Sequence, residues 1–309
     1  MGRGRFDPEE RKARVRARIE KSGNLPTLPE VVVKIVEMVD DEQTTARQLG
    51  AEIAKDQVVS AKVLKLVNSG FYGFSQTIST IPHAVAMLGF DTVKSLVLSS
   101  GVLEMMDNAL PGLWDHSQAC ARACTFIAEE ADLEAPEEVS VIGLLHDLGK
   151  VILSQTLAAD FARIRQRVER GDMLLARSEK DVLGCDHGEI GAWLLARWEL
   201  PLKLTEPIAD HHDFKPHRDH VQRTAAVHLA DILVRAEGFG SGGDLRIPQL
   251  AEGALDTLGM DLETIGRVMD RMHAEFTELR RCDLFPSAQA RRIWCRMAPV
   301  NAGATCVPG

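Results

Sequence analysis

The sequence is poor in aromatic residues and contains a single tyrosine, Tyr72. Aromatic residues make up 5% of the 309 positions, whereas hydrophobic residues make up 45%. The core must therefore be built from aliphatic side chains, which suits packed helices. No segment shows a convincing strand pattern, and apolar residues recur instead at helical spacing. We predict an all-α fold.

Long apolar runs, regular cysteine pairs and an excess of basic residues are also missing. No apolar stretch reaches the roughly 18 residues that a membrane span needs, and the charged N-terminus lacks the apolar segment of a signal peptide. The six cysteines form no C-x-x-C pair. We therefore expect reduced thiols in a soluble, cytoplasmic protein.

The formal net charge of -9 argues against a general nucleic-acid-binding protein, because such proteins present a basic face. One pattern of helix, glycine and helix, from Ala84 to Val97, could be taken for a DNA-reading helix-turn-helix. Glycine commonly ends a helix, however, and few basic residues surround this one. We expect neither nucleic acid nor a membrane as a partner.

Capping signals and helix breakers divide the chain into parts. Thr27 with Glu30, and Thr45 with Gln48, form capping-box patterns, and a cluster of glycines at 238–243 predicts a flexible joint. Helical segments are predicted over 151–168, 261–281 and 287–297. The predicted parts are a basic tail without an apolar face (1–21), an N-terminal helical subdomain (22–108), a second helical subdomain (109–237), a C-terminal helical extension (238–300) and a flexible tail (301–309).

The stretch V-S-V-I-G-L-L-H-D-L-G-K-V, residues 139–151, places His146 and Asp147 together at the end of an apolar helix. An unpaired carboxylate among leucines costs roughly several kcal/mol, so Asp147 must meet a cation or several hydrogen-bond donors. The alternative for an isolated pair is a core histidine with satisfied hydrogen bonds and an aspartate that caps a helix.

Further candidates lie on the inward faces of predicted helices. They are His116, His187, His211, His212 and Asp231. Imidazole and carboxylate ligands without thiolate suit Fe, Mn, Zn or a similar divalent ion, and the set is too large for one ion. The other five histidines have no such placement, so chance alignment is the alternative.

Taken together, H...H-D-L-G-K...D-H-G-E-I-G...H-H...D resembles the HD superfamily of metal-dependent phosphohydrolases. More narrowly, the motifs L-P-T-L-P-E-V-V-V-K-I-V, N-S-G-F-Y-G, I-S-T-I-P-H-A-V-A-M-L-G-F and W-E-L-P are similar to the HDOD family, the HD-related output domain of bacterial signalling proteins. The resemblance covers residues from about 25 to 235. It implies an N-terminal helical bundle packed on an HD-like helical half.

The resemblance also implies roles for individual residues. The ligands of a first ion would be His116, His146, Asp147 and Asp231. The ligands of a second ion would be His187, His211 and His212, with Asp147 bridging. Lys150 would face a phosphate, which makes Asp147 and Lys150 the candidate catalytic residues. The alternative for Lys150 is a solvated side chain at a helix end.

The resemblance leaves two functions open. The HD-GYP branch, which degrades cyclic dinucleotides, carries Gly-Tyr-Pro after its His-His pair, whereas D-F-K-P-H-R-D-H follows here. We expect a regulatory signalling protein that holds divalent metal ions, two at most, and binds a partner protein or a small phosphate-containing ligand. The alternative is an active phosphohydrolase that acts on a nucleotide or another phosphate ester.

Overall fold

The computed structural model of the protein describes residues 7–22, 30–39, 41, 43–67, 78–90, 93–94, 96–97, 106, 109–171, 173–198, 200–244 and 246–281. Fifteen helices with defined ends and no strand occur in these residues, which confirms the predicted all-α fold. Buried apolar side chains from all parts of the described chain belong to one contiguous core.

Short helices form the N-terminal subdomain. They are α2 (Glu30–Val39), α3 (Ala46–Ile53), α4 (Gln57–Val67) and α5 (Ile81–Leu88). The predicted capping box of Thr45 and Gln48 is present at the start of α3. Helices α3 and α5 approach closely at Gly50, where a Cβ atom would lie 2.6 Å from Cγ of Pro82. A residue without a side chain therefore allows this contact.

Eight helices build the HD-like half. They are α6 (Leu113–Glu130), α7 (Pro136–Leu145), α8 (Leu148–Thr156), α9 (Ala158–Glu169), α10 (Leu175–Leu183), α11 (His187–Arg197), α12 (Leu202–Asp210) and α13 (Val221–Glu237). Helix α7 packs along α6, and a Cβ atom on Gly143 would lie 2.7 Å from the carbonyl oxygen of Cys120. This close approach brings the C-terminal end of α7 toward the first turns of α6.

Two helices follow the HD-like half, α14 (Ala254–Leu258) and α15 (Leu262–Arg281). Helix α14 packs on α13, and α15 packs on α6. Phe276 of α15 is buried against Phe239, with 4.5 Å between the ring centroids. The extension thus covers the outer side of the two helices that carry His116 and Asp231.

The N-terminal segment differs from the predicted basic tail. Residues Pro8–Lys21 form a helix, α1, that packs on α8 and α10. Val15 and Ile19 lie one turn apart and are buried, while Arg18 forms an ion pair of 3.0 Å with Asp160. Two apolar residues among many charged ones are too weak a stripe to predict from the sequence. They are enough to hold α1 in place because α8 and α10 provide a surface on which it packs.

Several predicted segments also differ in their bounds. The continuous helix predicted over 151–168 is interrupted at Leu157, between α8 and α9. The predicted flexible joint at 238–243 is instead held by hydrogen bonds described below. The capping box at Thr27 and the helix at 287–297 lie outside the described residues.

No single helix in the described part of the chain is long and apolar enough to cross a membrane. The stretches 138–156 and 158–169 meet the length and composition criteria only as a pair, and they bend by 119° at their junction.

Glycine also sets the distance between α8 and α11, which carry neighbouring parts of the candidate site. A Cβ atom on Gly149 would lie 1.9 Å from the carbonyl oxygen of His187. Gly191 lies on the facing side, where a Cβ atom would be 3.1 Å from the Gly149 nitrogen. The two backbones therefore touch at this crossing.

Replacement of Gly149 with alanine should destabilise the protein by about 3 kcal/mol, because α8 and α11 must separate to admit the methyl group. Gly266→Ala in α15 is the matched control, since a Cβ atom there meets no atom within 4 Å. We expect it to be neutral or stabilising by up to about 1 kcal/mol, as glycine is a poor helix former. Urea unfolding measures both values, and equal stabilities of the two variants would contradict the close crossing.

Candidate metal centre

Helix ends bring six of the seven predicted ligands together. His146 directly follows α7, and Asp147 immediately precedes α8 without capping it through its side chain. His187 is the first residue of α11, and His211 and His212 directly follow α12. His116 lies in the first turns of α6. Asp231 alone projects from the middle of a helix, α13.

One group of ligand atoms forms around Asp231. Its Oδ1 atom lies 3.1 Å from Nε2 of His116 and 3.9 Å from Nε2 of His146. A second group contains the other three histidines. Nε2 of His187 and Nε2 of His212 are 2.9 Å apart, and one ligand atom each from His187, His211 and His212 lie within 4.8 Å of one another.

Asp147 lies between the two groups. Its Oδ2 atom is 3.6 Å from Nε2 of His116 and 3.4 Å from Nε2 of His146. Its Oδ1 atom is 3.1 Å from Nε2 of His187. One carboxylate thus faces ligands of both groups, which is the placement that a bridging carboxylate requires.

Hydrogen bonds outside the cluster set the orientation of two imidazoles. Nδ1 of His146 lies 2.6 Å from the carbonyl oxygen of Gly143, and Nδ1 of His211 lies 2.7 Å from that of Ile208. Nδ1 of each ring therefore carries the proton and donates, which leaves the Nε2 lone pair directed into the cluster. This arrangement is typical of histidines that bind metal.

Three buried polar atoms inside the cluster have no hydrogen-bond partner. They are Nε2 of His146, Nε2 of His211 and Oδ1 of Asp147. An unsatisfied buried polar atom costs about 1–3 kcal/mol, and three such atoms meet at one place here. A divalent cation would satisfy all three, so the residues present fit a metal ion.

The two aspartates are ionised despite their burial. Burial alone would raise the pKa of Asp147, but His146 and Lys150 hold that pKa well below its usual range. Burial opposes ionisation of Asp231 as well, and Arg235 and His116 likewise keep its pKa low. Both carboxylates are therefore anionic ligands at neutral pH.

Lys150 is fully buried, so the alternative of a solvated side chain at a helix end is wrong. Its Nζ atom donates to Oδ2 of Asp147 at 2.7 Å and to the carbonyl oxygen of Gly242 at 2.6 Å. Gly242 belongs to residues 239–244, which we call the strap. The lysine thus contacts the strap at the position where the resemblance implies a phosphate.

Further bonds hold the strap over the cluster. Arg235 contacts both Asp231 and Asp244, and the Leu175 nitrogen donates to Asp244 at 2.5 Å. A Cβ atom on Gly242 would lie 3.2 Å from Nε2 of His116. The strap therefore lies directly against the first group of ligands. The six ligands other than His212 are buried, and His212 is partly exposed.

Two residues that support the second group of ligands could not be recognised from the pattern of the sequence. Glu179 accepts hydrogen bonds from Nδ1 and from the backbone nitrogen of His187, at 2.6 and 2.8 Å, and it lies where the helical pattern is weak. His228 contacts the carbonyl oxygen of His211 through Nδ1 at 2.8 Å and accepts from the Ala251 nitrogen through Nε2. Both orient histidines of the second group without joining it.

Glu179 changes the charge of its histidine. Burial disfavours the His187 imidazolium, but the adjacent Glu179 carboxylate outweighs this effect and raises the pKa of His187 to about 9. Without a metal ion, His187 is therefore protonated at neutral pH. A metal ligand must be the neutral imidazole, so an ion that binds at His187 displaces a proton.

Metal affinity should consequently rise with pH up to about 9, by about tenfold per pH unit for one displaced proton. Calorimetric titration with Zn²⁺ at pH 6.5 and 7.5, in buffers of different ionisation enthalpy, counts the protons released. Glu179→Gln removes the charge that raises the pKa of His187, so this variant should release fewer protons. An affinity that does not change with pH in either protein would contradict this linkage.

Comparison with known proteins identifies one family. The family profile for the HDOD domain matches residues 25–214, more than half of the chain. An uncharacterized protein of Treponema pallidum (strain Nichols) is 26% identical over 225 residues, which are 70% of this chain and 43% of that protein. The chain thus spans less than half the length of this curated relative.

Solved structures show the same architecture. An HDOD domain protein of unknown function from Geobacter sulfurreducens aligns with a TM-score of 0.75 and 26% identity, over 91% of this chain and 100% of its own. A "putative phosphohydrolase" from Shewanella amazonensis SB2B aligns with a TM-score of 0.67 and 25% identity, over 85% of this chain and 96% of its own. From its sequence, its helical architecture and these relatives, we conclude that the chain belongs to the HDOD family.

Proposed function

We propose that the protein is a regulatory unit of bacterial signal transduction whose helical core binds divalent metal ions. Its output would be the binding of a signalling protein partner or of a small phosphate-containing ligand. One observation carries the regulatory part of this proposal. Lys150, the residue that would face a phosphate, is fully buried and donates to the Gly242 carbonyl oxygen of the strap.

A metal centre of this kind would link the helices of the HD-like half. The seven candidate ligands come from α6, the junction of α7 and α8, α11, α12 and α13. An ion that binds all of them has affinity only for the folded arrangement, so its binding energy adds to folding stability. The HD-like half would then be a rigid support for surfaces that contact a partner.

The alternative is a metal-dependent phosphohydrolase, and the partial exposure of His212 favours it. A bound ion would supply Lewis-acid activation of water and of a phosphoryl oxygen. Asp147 would hold the ions in place, and the Lys150 ammonium would stabilise negative charge that develops on the phosphate. For Lys150 to do so, the strap must leave, because the Gly242 carbonyl oxygen occupies the hydrogen-bonding position.

Elemental analysis of protein purified without chelator or metal-affinity resin tests the centre itself. We expect about two equivalents of Fe, Mn, Zn or a similar ion per chain, because two groups of ligands share Asp147. At a free concentration 100 times the Kd, a bound ion should stabilise the fold by about 2.7 kcal/mol, and chelation should remove this.

Two variants make the stability measurement specific. Asp147→Asn keeps the size and the hydrogen-bond acceptor for Lys150 but removes the bridging charge, so metal should no longer stabilise it. Asp160→Asn changes a carboxylate of α9 that is remote from the ligands and should keep the metal effect. A wild-type protein that folds, binds no divalent ion and is unaffected by chelation would disprove the metal centre.

Hydrolysis of bis(p-nitrophenyl) phosphate by metal-loaded protein separates the two functions. The regulatory proposal predicts no metal-dependent release of p-nitrophenol from the wild type. Asp244→Asn should weaken the contact between Arg235 and the strap. If the alternative is right, this variant should release product faster than the wild type, and Asp147→Asn should release none. Such a pattern would replace the regulatory proposal with the enzymatic one.

A further inference from the structure

A cysteine lies beside the first group of ligands. Cys120 follows His116 by one turn of α6 and is fully buried, and its Sγ atom is 3.6 Å from Nε2 of His116. One ligand atom each from His116, Cys120, His146 and Asp231 lie within 4.8 Å of one another. Nε2 of His146 is one of these atoms and has no hydrogen-bond partner.

We propose that Cys120 is a metal ligand, so that the first ion is bound by two imidazoles, the Asp231 carboxylate and one thiolate besides the bridging Asp147. This inference rests on the metal centre proposed above. A thiolate among these donors favours Zn²⁺ over the harder Mn²⁺. The second group provides only nitrogen donors and the Asp147 carboxylate. The two positions therefore differ in the ion that they select.

The charges around the first group support this assignment. The charged side chains are Asp147, Asp231, Asp244, Lys150 and Arg235. Three carboxylates against two cations leave one negative charge, and a divalent ion alone would turn this into one positive charge. The second ion, with Glu179 beside His187, keeps the loaded centre positive, so a thiolate at Cys120 brings it closer to neutrality. Buried charge is costly unless it is balanced, so the metal-loaded centre is favoured with the thiolate in place.

Coordination requires that Cys120 lose its proton. Burial raises the pKa of the Cys120 thiol well above its usual value, so the sulfur is protonated when no ion is bound. As the sulfur–metal bond forms, the S–H bond breaks and the proton leaves to solvent. A directly bound divalent ion stabilises the thiolate strongly enough to deprotonate a coordinating thiol.

Cys124 provides a matched comparison. It lies one turn after Cys120 on α6 and is also buried, and burial raises the pKa of its thiol too. It packs against Gly143, where a Cβ atom would be 2.7 Å from Sγ of Cys124. Cys124 belongs to none of the groups of ligand atoms found in the described residues.

Titration of the metal-free protein with Co²⁺ tests the proposal, because thiolate coordination adds a near-ultraviolet charge-transfer band to the visible d–d bands. We expect both kinds of band in the wild type and in Cys124→Ser. Cys120→Ser should keep the visible bands and lose the near-ultraviolet band. Its affinity for Zn²⁺ at this position should fall by about tenfold or more.

The outcomes separate this inference from the function on which it rests. Visible bands without a near-ultraviolet band in the wild type would overturn the Cys120 ligand while the metal centre stands. A near-ultraviolet band that persists in Cys120→Ser or is lost in Cys124→Ser would also overturn it. The absence of all bands in the wild type would overturn the centre itself.

A second measurement needs no variant. X-ray absorption by the Zn²⁺-loaded wild type should show a sulfur neighbour at about 2.3 Å besides the nitrogen and oxygen neighbours at about 2.0–2.1 Å. Only nitrogen and oxygen neighbours would overturn the Cys120 ligand even if the serine variant did not fold.

Discussion

Two ionised carboxylates inside an aliphatic core are the constraint on which this structure depends. Asp147 and Asp231 need compensating charge, and Lys150 and Arg235 provide it at 2.7 Å each. Neither cation is saturated by one carboxylate, so both also bind the strap, through the Gly242 carbonyl oxygen and the Asp244 carboxylate. The strap thus lies over the cluster because it contacts the two cations that the buried aspartates require. Removal of either aspartate would leave a buried cation unpaired, which is commonly more damaging than losing the whole pair.

The same cluster combines the side chains predicted to be metal ligands with the tight burial of a structural core. Its imidazoles are oriented by bonds to Gly143, Ile208 and Glu179, so their inner nitrogens converge on one place. Orientation of this kind serves catalysis and structural metal binding equally. Catalysis differs from structural metal binding in that a phosphate must reach Lys150. The Gly242 carbonyl oxygen of the strap occupies that position. Under the regulatory proposal, the HDOD fold would retain the candidate ligands while its function lies at its surface.

The sequence predicted the helical fold and the inward faces of His116, His187 and Asp231, because these depend on local spacing. The structure brings all seven predicted residues together, although their role as ligands stays a prediction. Contacts between distant segments were not predictable. The burial of Lys150 depends on a glycine 92 positions later. Helix α1 packs on α8 and α10, which are distant from it in the sequence. Cys120 has the spacing of an ordinary core residue, and only the fold places its sulfur beside two histidines.

The burial of six of the seven candidate ligands bears on the rate at which an ion could exchange. An ion in such a place leaves only when the surrounding helices open, so its residence time would follow the opening rate of the protein rather than its equilibrium affinity. Which ion the protein carries would then depend on how long it has been in contact with each ion. Two preparations with identical sequence could differ in metal content until enough time for such openings has passed, and a metal titration must wait for the same openings.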